Sequence, residues 1–232
     1  MVQVAYCVGL DLGTEGGDWT AISVLEYFAD TDDGKPRFVI RWIERWRDLR
    51  PREAVREVAQ TLSRPPLLYS ADVAIDARGV GWYMADELSR LELGTVRRIM
   101  STAGAEETTK TSEKGVVSYN VPKDRLVHSA AMPYQEGRLL IARGCPFKEE
   151  FRREIESFAT KFSRKPGYEK MEAVTGEHDD IISSVCNATW WLTRSKTATL
   201  DESFAFTYED LTGSEVFSDR WDEDFSRWSL NR

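Results

Sequence analysis

The sequence contains only two histidines and three cysteines, which restricts the metal chemistry available to the chain. Cys7, Cys145 and Cys186 are widely spaced and form no CxxC pair, so neither a zinc site nor a disulfide framework is expected. Two of them, Cys7 and Cys186, lie in apolar runs, as buried thiols in a reducing compartment do. A metal site built mainly from histidine or cysteine is therefore excluded.

Apolar runs of membrane-spanning length are also absent. A hydrophobic content of 41% and a charged content of 30% are typical of a globular protein, and 232 residues are enough for one domain with a full core. We therefore expect a cytoplasmic protein without a membrane partner.

A basic excess, the usual mark of simple nucleic-acid binding, is lacking as well, since the net charge is −8. The acidic excess is uneven: residues 201–232 carry nine acidic and three basic side chains, whereas residues 1–200 carry 30 and 28. The main body can therefore still present a local basic face. We predict a folded domain over residues 1–196 and an acidic, aromatic-rich tail over residues 197–232.

The hydrophobic pattern predicts the order β-β-β-α-β-α-β, followed by an α-rich half. Residues 4–27 are predicted to form a β-hairpin, residues 37–47 a third strand, and residues 179–192 the last strong helix. Residues 101–114 show no pattern and are predicted to be a polar loop, either a lid or plain surface. Five apolar side chains at helical spacing predict an amphipathic helix: Phe147, Phe151, Ile155, Phe158 and Phe162.

Three antiparallel strands followed by βαβ units predict an α/β fold, with a mixed sheet of about five main strands and helices on both faces. If the strand ending at Asp76 pairs with the first strand, Asp11 and Asp76 lie at one sheet edge, where sites of α/β proteins form. Singly, Asp11 and Asp76 could cap turns, and Asp179 and Asp180 could complement a helix N-terminus. Together, the four acids favour a shared divalent-cation site.

Several motifs in this chain order resemble the nuclease domain of large terminase subunits. That domain belongs to the ribonuclease H-like superfamily and cuts concatemeric viral DNA during genome packaging. The matching segments are Gly9-Leu10-Asp11-Leu12-Gly13, Asp18-Trp19-Thr20-Ala21, Ile75-Asp76-Ala77-Arg78-Gly79-Val80-Gly81, Pro122-Lys123-Asp124-Arg125-Leu126 and Gly176-Glu177-His178-Asp179-Asp180.

The resemblance implies an endonuclease that hydrolyses double-stranded DNA with two Mg²⁺ or Mn²⁺ ions. Asp11 would bridge both ions, Asp76 would hold one, and Asp179 and Asp180 would serve the other. The cluster of like charges also predicts at least one raised carboxylate pKa. Candidate phosphate contacts, each also explicable as a solvated charge, are Arg78, Lys110, Lys114, Lys123 and Arg125. His178 could orient a water, or simply cap its helix.

The chain departs from large terminase subunits in having no G-x-x-x-x-G-K-[ST] loop, so ATP-driven translocation is not assigned to it. We expect a separated nuclease domain, a split subunit or a stand-alone relative, with an ATPase motor subunit and a portal protein as possible partners. Two alternatives stay open. One is an actin-like or sugar-kinase-like phosphotransferase, because residues 9–14 also resemble its first phosphate loop; the other is a non-catalytic packaging protein that kept the fold.

The acidic tail generates the first prediction. Its aromatic side chains favour packing on the body or docking to a partner such as a portal, while its negative charge repels DNA. Deleting residues 201–232 should therefore leave metal-dependent DNA nicking unchanged or raise it, as measured by plasmid relaxation. A truncated chain that stays folded but no longer binds DNA would contradict this expectation.

Overall fold

The structure is a computed structural model that describes residues 4–13, 19–29, 34–162 and 179–197. Within these residues there are eight strands and five helices. The strands are β1 (Val4–Asp11), β2 (Trp19–Phe28), β3 (Arg37–Arg47), β4 (Ala71–Asp76), β5 (Thr95–Thr102), β6 (Thr108–Thr111), β7 (Val117–Pro122) and β8 (Leu139–Ile141). The helices are α1 (Pro51–Leu62), α2 (Val80–Arg90), α3 (Lys123–Gln135), α4 (Lys148–Phe162) and α5 (Asp180–Thr197).

The strands form one mixed sheet in the order β6-β7-β5-β4-β1-β2-β3-β8. The first three strands make the predicted antiparallel arrangement, and β4 then pairs parallel with β1. The sheet continues in parallel through β5 and β7, with β6 as an antiparallel edge strand and β8 parallel to β3 at the other edge. The predicted α/β class is confirmed, and the arrangement is compatible with a ribonuclease H-like fold, although the sheet has eight strands and not about five.

Helices cover both faces of the sheet, as predicted. One hydrophobic core, which includes Leu10 and Ile75, lies under α1 and α2. A second core lies under α3, α4 and α5 and includes Cys7 and Ala74. Successive strand residues alternate between these two cores because neighbouring side chains of a strand project to opposite faces.

Residues 101–114 do not form the structureless loop predicted from the sequence. Strand β5 continues to Thr102, and β6 pairs with β7 to form a hairpin. All four β6 side chains are exposed, so this edge strand has no apolar face for a sequence pattern to report. Just before β6, Glu107 accepts a hydrogen bond from Trp190 Nε1 (3.2 Å) and pairs with Arg194 (3.1 Å), which attaches the hairpin to α5.

The predicted amphipathic helix is α4, in which Phe151 and Ile155 are fully buried. Phe147 precedes the helix and is exposed. The side chains of Phe158 and Phe162, and the tail after Thr197, lie outside the described residues. Among the described helices, none has the length and apolarity needed to span a lipid bilayer.

Helix α5 packs on β1 at unusually short range because Gly9 has no side chain. A Cβ atom built on Gly9 would overlap the carbonyl oxygen of Ser184 and would lie 3.0 Å from Ala188 Cβ. Three residues further along α5 from Ser184, the buried Asn187 Nδ2 donates a hydrogen bond of 2.9 Å to the Leu10 carbonyl oxygen. These two contacts fix the position of α5 along β1.

Replacing Gly9 with alanine should therefore destabilise the protein. The new methyl group meets helix backbone, which cannot move aside as a flexible side chain can, so we expect a loss of about 2–3 kcal/mol, at the upper end of overpacking costs. Urea unfolding of the purified variant measures this loss.

Gly104→Ala is the matched control, because the nearest atom to its new Cβ would be Thr102 Oγ1, at 3.7 Å. Its unfolding free energy should stay close to that of the wild type. Equal losses in both variants would show that α5 does not depend on Gly9.

Candidate functional site

Two of the predicted acids lie side by side where two neighbouring central strands of the sheet end. Asp11 is the last residue of β1 and Asp76 is the last residue of β4. The two strands pair in parallel with Leu10 opposite Ile75, so the acids that follow are neighbours. Because Leu10 and Ile75 enter the core under α1 and α2, Asp11 and Asp76 project to the α5 face. The prediction that these acids occupy adjacent strands is confirmed.

Helix α5 brings the other two predicted acids to the same place. The Asp179 carbonyl oxygen accepts the Ser183 N–H at 2.9 Å, which makes Asp179 the N-cap residue and Asp180 the first residue of the helix. Asp179 lines a cleft together with Asp11 and Asp76, while Asp180 lies deeper and is only 9% exposed. The four predicted ligands therefore meet, although their role as ligands stays a prediction.

The cleft has a volume of about 140 Å³. Acidic, basic and hydroxyl side chains line it, together with apolar side chains of α3 and α5. The lining residues are Asp11, Asp76, Arg78, Ser101, Lys123, Leu126, Val127, Asp179, Ile182, Ser183, Cys186 and Asn187. It is large enough for a few water molecules or a phosphate group.

Three of the four acids have a basic partner of their own. These pairs are Asp76–Arg78 (2.7 Å), Asp179–Lys123 (3.8 Å) and Asp180–Arg45 (3.3 Å). Asp11, which lies between the others, has no hydrogen-bond or ion-pair partner for its carboxylate among the described residues. Its negative charge is therefore the least compensated in the site.

Burial and repulsion raise the pKa of Asp11 well above its ordinary value of 3.8. Desolvation is the largest cause, and repulsion by the other acids follows in the order Asp76, Asp180, Asp179, against a smaller opposing effect of Arg78.

Sequence reasoning missed two residues of this site, Arg45 and Glu154. Arg45 lies on β3 in register with Ala21 and Asp11, so it shares their face of the sheet. Glu154 lies on α4, 3.9 Å from Arg45, and burial raises its pKa to about 7 although Arg45 and the Ile182 N–H favour the charged form. Position 154 falls three residues after Phe151, on the buried face of α4. An acid within an apolar stripe was the signal in the sequence that could have identified Glu154 as a functional residue.

Of the predicted phosphate contacts, Arg78 and Lys123 line the cleft. Arg125 does not line it and pairs with Glu107 at 3.6 Å. Lys110 lies opposite Ser118 on the β6–β7 hairpin, and Lys114 lies in the turn of that hairpin. Both are near the start of β7, whereas the site lies where the parallel strands end. The hairpin therefore separates Lys110 and Lys114 from the acids. Asp18 and His178 lie outside the described residues.

The charges of the site leave room for a cation. Among the described residues, five acidic side chains face three basic ones, so the site would carry two excess negative charges with all five acids ionised; the raised pKa values of Asp11 and Glu154 oppose that ionisation, and a bound cation would favour it. Carboxylate oxygens are hard ligands that suit Mg²⁺ or Mn²⁺, so the donor set fits these ions. No three acidic, histidine or cysteine side chains in the described part of the chain form a preformed metal cage. A cation bound here would have to displace Arg78, Lys123 or Arg45 from a carboxylate.

A comparison of the sequence with known protein families and with curated proteins finds no match.

The raised pKa of Asp11 predicts how stability changes with pH. The folded protein binds more protons than the unfolded chain between pH 3.8 and the raised pKa, so Asp11 reduces stability progressively as pH rises through that range. Asn cannot ionise, so Asp11→Asn should raise the melting temperature of the metal-free protein at neutral pH, and this gain should vanish near pH 3.8. For a chain of this size, a gain of about 1 kcal/mol corresponds to about 2–4 °C.

The matched control is Asp72→Asn, at the other end of β4, where Asp72 pairs with Arg97 at 2.9 Å. Losing that ion pair should leave the melting temperature unchanged or lower it. Thermal unfolding of both variants in EDTA at two pH values makes the comparison. A lower melting temperature of Asp11→Asn at neutral pH would favour a structural capping role for Asp11.

Proposed function

We propose that the chain is an Mg²⁺- or Mn²⁺-dependent endonuclease that hydrolyses phosphodiester bonds of double-stranded DNA. The observation that carries this proposal is the Asp11 carboxylate, which has no hydrogen-bond or ion-pair partner in the described part of the chain and lies near three further acids where β1 and β4 of a ribonuclease H-like sheet end. Such a concentration of negative charge is unfavourable in a protein without a compensating cation.

The metal would be held by four carboxylates that lie close together, those of Asp11, Asp76, Asp179 and Asp180. When bound, the cations supply the positive charge that polarises the scissile phosphate and acidifies the attacking water. The chain itself contributes the fixed spacing of the carboxylates, which the paired strands and the contact of α5 with Gly9 set.

Two basic residues of the cleft are suited to bind the DNA backbone. Arg78 and Lys123 are 58% and 41% exposed in their side chains, and each now neutralises one acid. If the acids turn to a metal, the guanidinium and ammonium groups become available for phosphate oxygens. The same two side chains would thus stabilise the metal-free site and bind substrate in the loaded one.

The motifs also support a more specific role. Their order resembles that of the terminase nuclease, so we infer that the substrate is concatemeric viral DNA, in the cytoplasm of a host cell. An ATPase motor subunit and a portal protein would be the partners of such a nuclease.

Cleavage of supercoiled plasmid DNA tests the proposal. The full chain should nick the plasmid with Mn²⁺ or Mg²⁺ and be inactive in EDTA. Asp11→Asn should lower the nicking rate by about 100-fold to 1,000-fold, the cost of losing one electrostatic stabiliser of a transition state. Asp72→Asn is the control and should keep the wild-type rate.

Three results would contradict the proposal. Full nicking by folded Asp11→Asn would remove the carboxylate site from the reaction. ATP hydrolysis without nicking would favour the phosphotransferase, whereas neither activity would favour a non-catalytic packaging protein.

A further inference from the structure

Glu154 is the one acid of the site that lies on α4. Its side chain is 9% exposed, and its Oε2 atom accepts a hydrogen bond of 2.8 Å from the Ile182 backbone N–H. Its other oxygen lies 3.9 Å from Arg45 Nη1, and Arg45 Nη2 lies 3.3 Å from Asp180 Oδ2. Glu154 is thus attached to the first turn of α5 directly and through Arg45.

The hydrogen bond from Ile182 is the one that an N-cap side chain normally accepts. With Asp179 as N-cap, Ile182 is the third residue of α5, and an N-cap aspartate ordinarily accepts the N–H of the second or third residue. Within the described residues, the Asp179 carboxylate instead has Lys123 as its partner and lines the cleft. Glu154 therefore accepts the Ile182 N–H that the Asp179 carboxylate could otherwise accept.

We propose that Glu154 is a positioning residue that caps α5 from outside and so leaves the Asp179 carboxylate free to face the cleft. Arg45 stabilises this arrangement, because it holds Glu154 and Asp180 at once and stacks on the Trp19 ring at 4.3 Å from its centroid. The inference rests on the proposed function, since it gives Asp179 a task in the metal site.

Without an acceptor at position 154, Asp179 can turn back and cap its own helix. Such a turn would satisfy Ile182 and preserve the helix, but it would remove one oxygen ligand from the cleft. The inference therefore predicts a loss of metal affinity that exceeds any loss of stability. A purely structural role predicts the reverse, a lower melting temperature with unchanged metal affinity of the folded molecules.

Calorimetric titration of the DNA-free full chain with Mn²⁺ tests this. Glu154→Ala removes the acceptor and should raise the Mn²⁺ dissociation constant about 10-fold to 100-fold, as loss of a residue that orients a ligand does. Glu154→Asp keeps the charge but shortens the reach by one methylene group, so it should also raise the dissociation constant. This variant tests the inference if the alanine variant folds poorly. Glu154→Gln keeps an acceptor oxygen and should bind nearly as the wild type does.

Glu150→Ala is the matched control on the same helix. Glu150 lies one turn earlier, is partly exposed and pairs with Arg153 at 3.5 Å, so its loss should not change Mn²⁺ binding. Wild-type affinity in both Glu154→Ala and Glu154→Asp overturns the inference, as does a Gln variant as weak as Glu154→Ala. A wild-type chain that neither binds Mn²⁺ nor nicks DNA overturns the proposed function as well.

Discussion

The close contact between α5 and β1 at Gly9 is the constraint on which the candidate site depends. Any side chain at position 9 would meet the Ser184 backbone, so only glycine allows the helix to lie so near the strand. Asn187 then fixes the helix along the strand by its hydrogen bond to Leu10. Because Asp179 and Asp180 are only one turn before Ser184, this contact also determines how near they lie to Asp11.

The site concentrates charge that the fold must tolerate. The stability lost at the site is offset by the rest of the molecule, in which two hydrophobic cores lie on opposite faces of the sheet. Three basic side chains then neutralise three acids, and Asp11 remains with a raised pKa. An arrangement that lowers stability at one place, while the surrounding structure is well packed, is typical of sites that bind ligands.

The sequence predicts the parts of this molecule that follow from local pattern and chain order. Two apolar runs locate β1 and β2, alternation locates β3, and the parallel return of β4 places Asp76 beside Asp11. The pattern fails at β6, whose side chains are exposed on both faces, because an edge strand of three threonines and a lysine carries no periodic apolar signal. For the same reason the sequence leaves Lys110 and Lys114 among the candidate phosphate contacts, because only the hairpin shows that the chain turns away from the acids.

Contacts between distant elements are the parts that a single sequence does not show. Arg45, Glu154 and Asp180 come from β3, α4 and α5, and their meeting requires that all three pack on one face of the sheet. Nor does the sequence tell whether an acid before a helix caps that helix or faces a cleft, since both roles use the same residue type. At Asp179 the question depends on which group accepts the Ile182 N–H, and that group is Glu154, 28 residues earlier in the chain. A hydrogen bond in which Asp179 takes no part thus determines whether its carboxylate is available for the proposed metal.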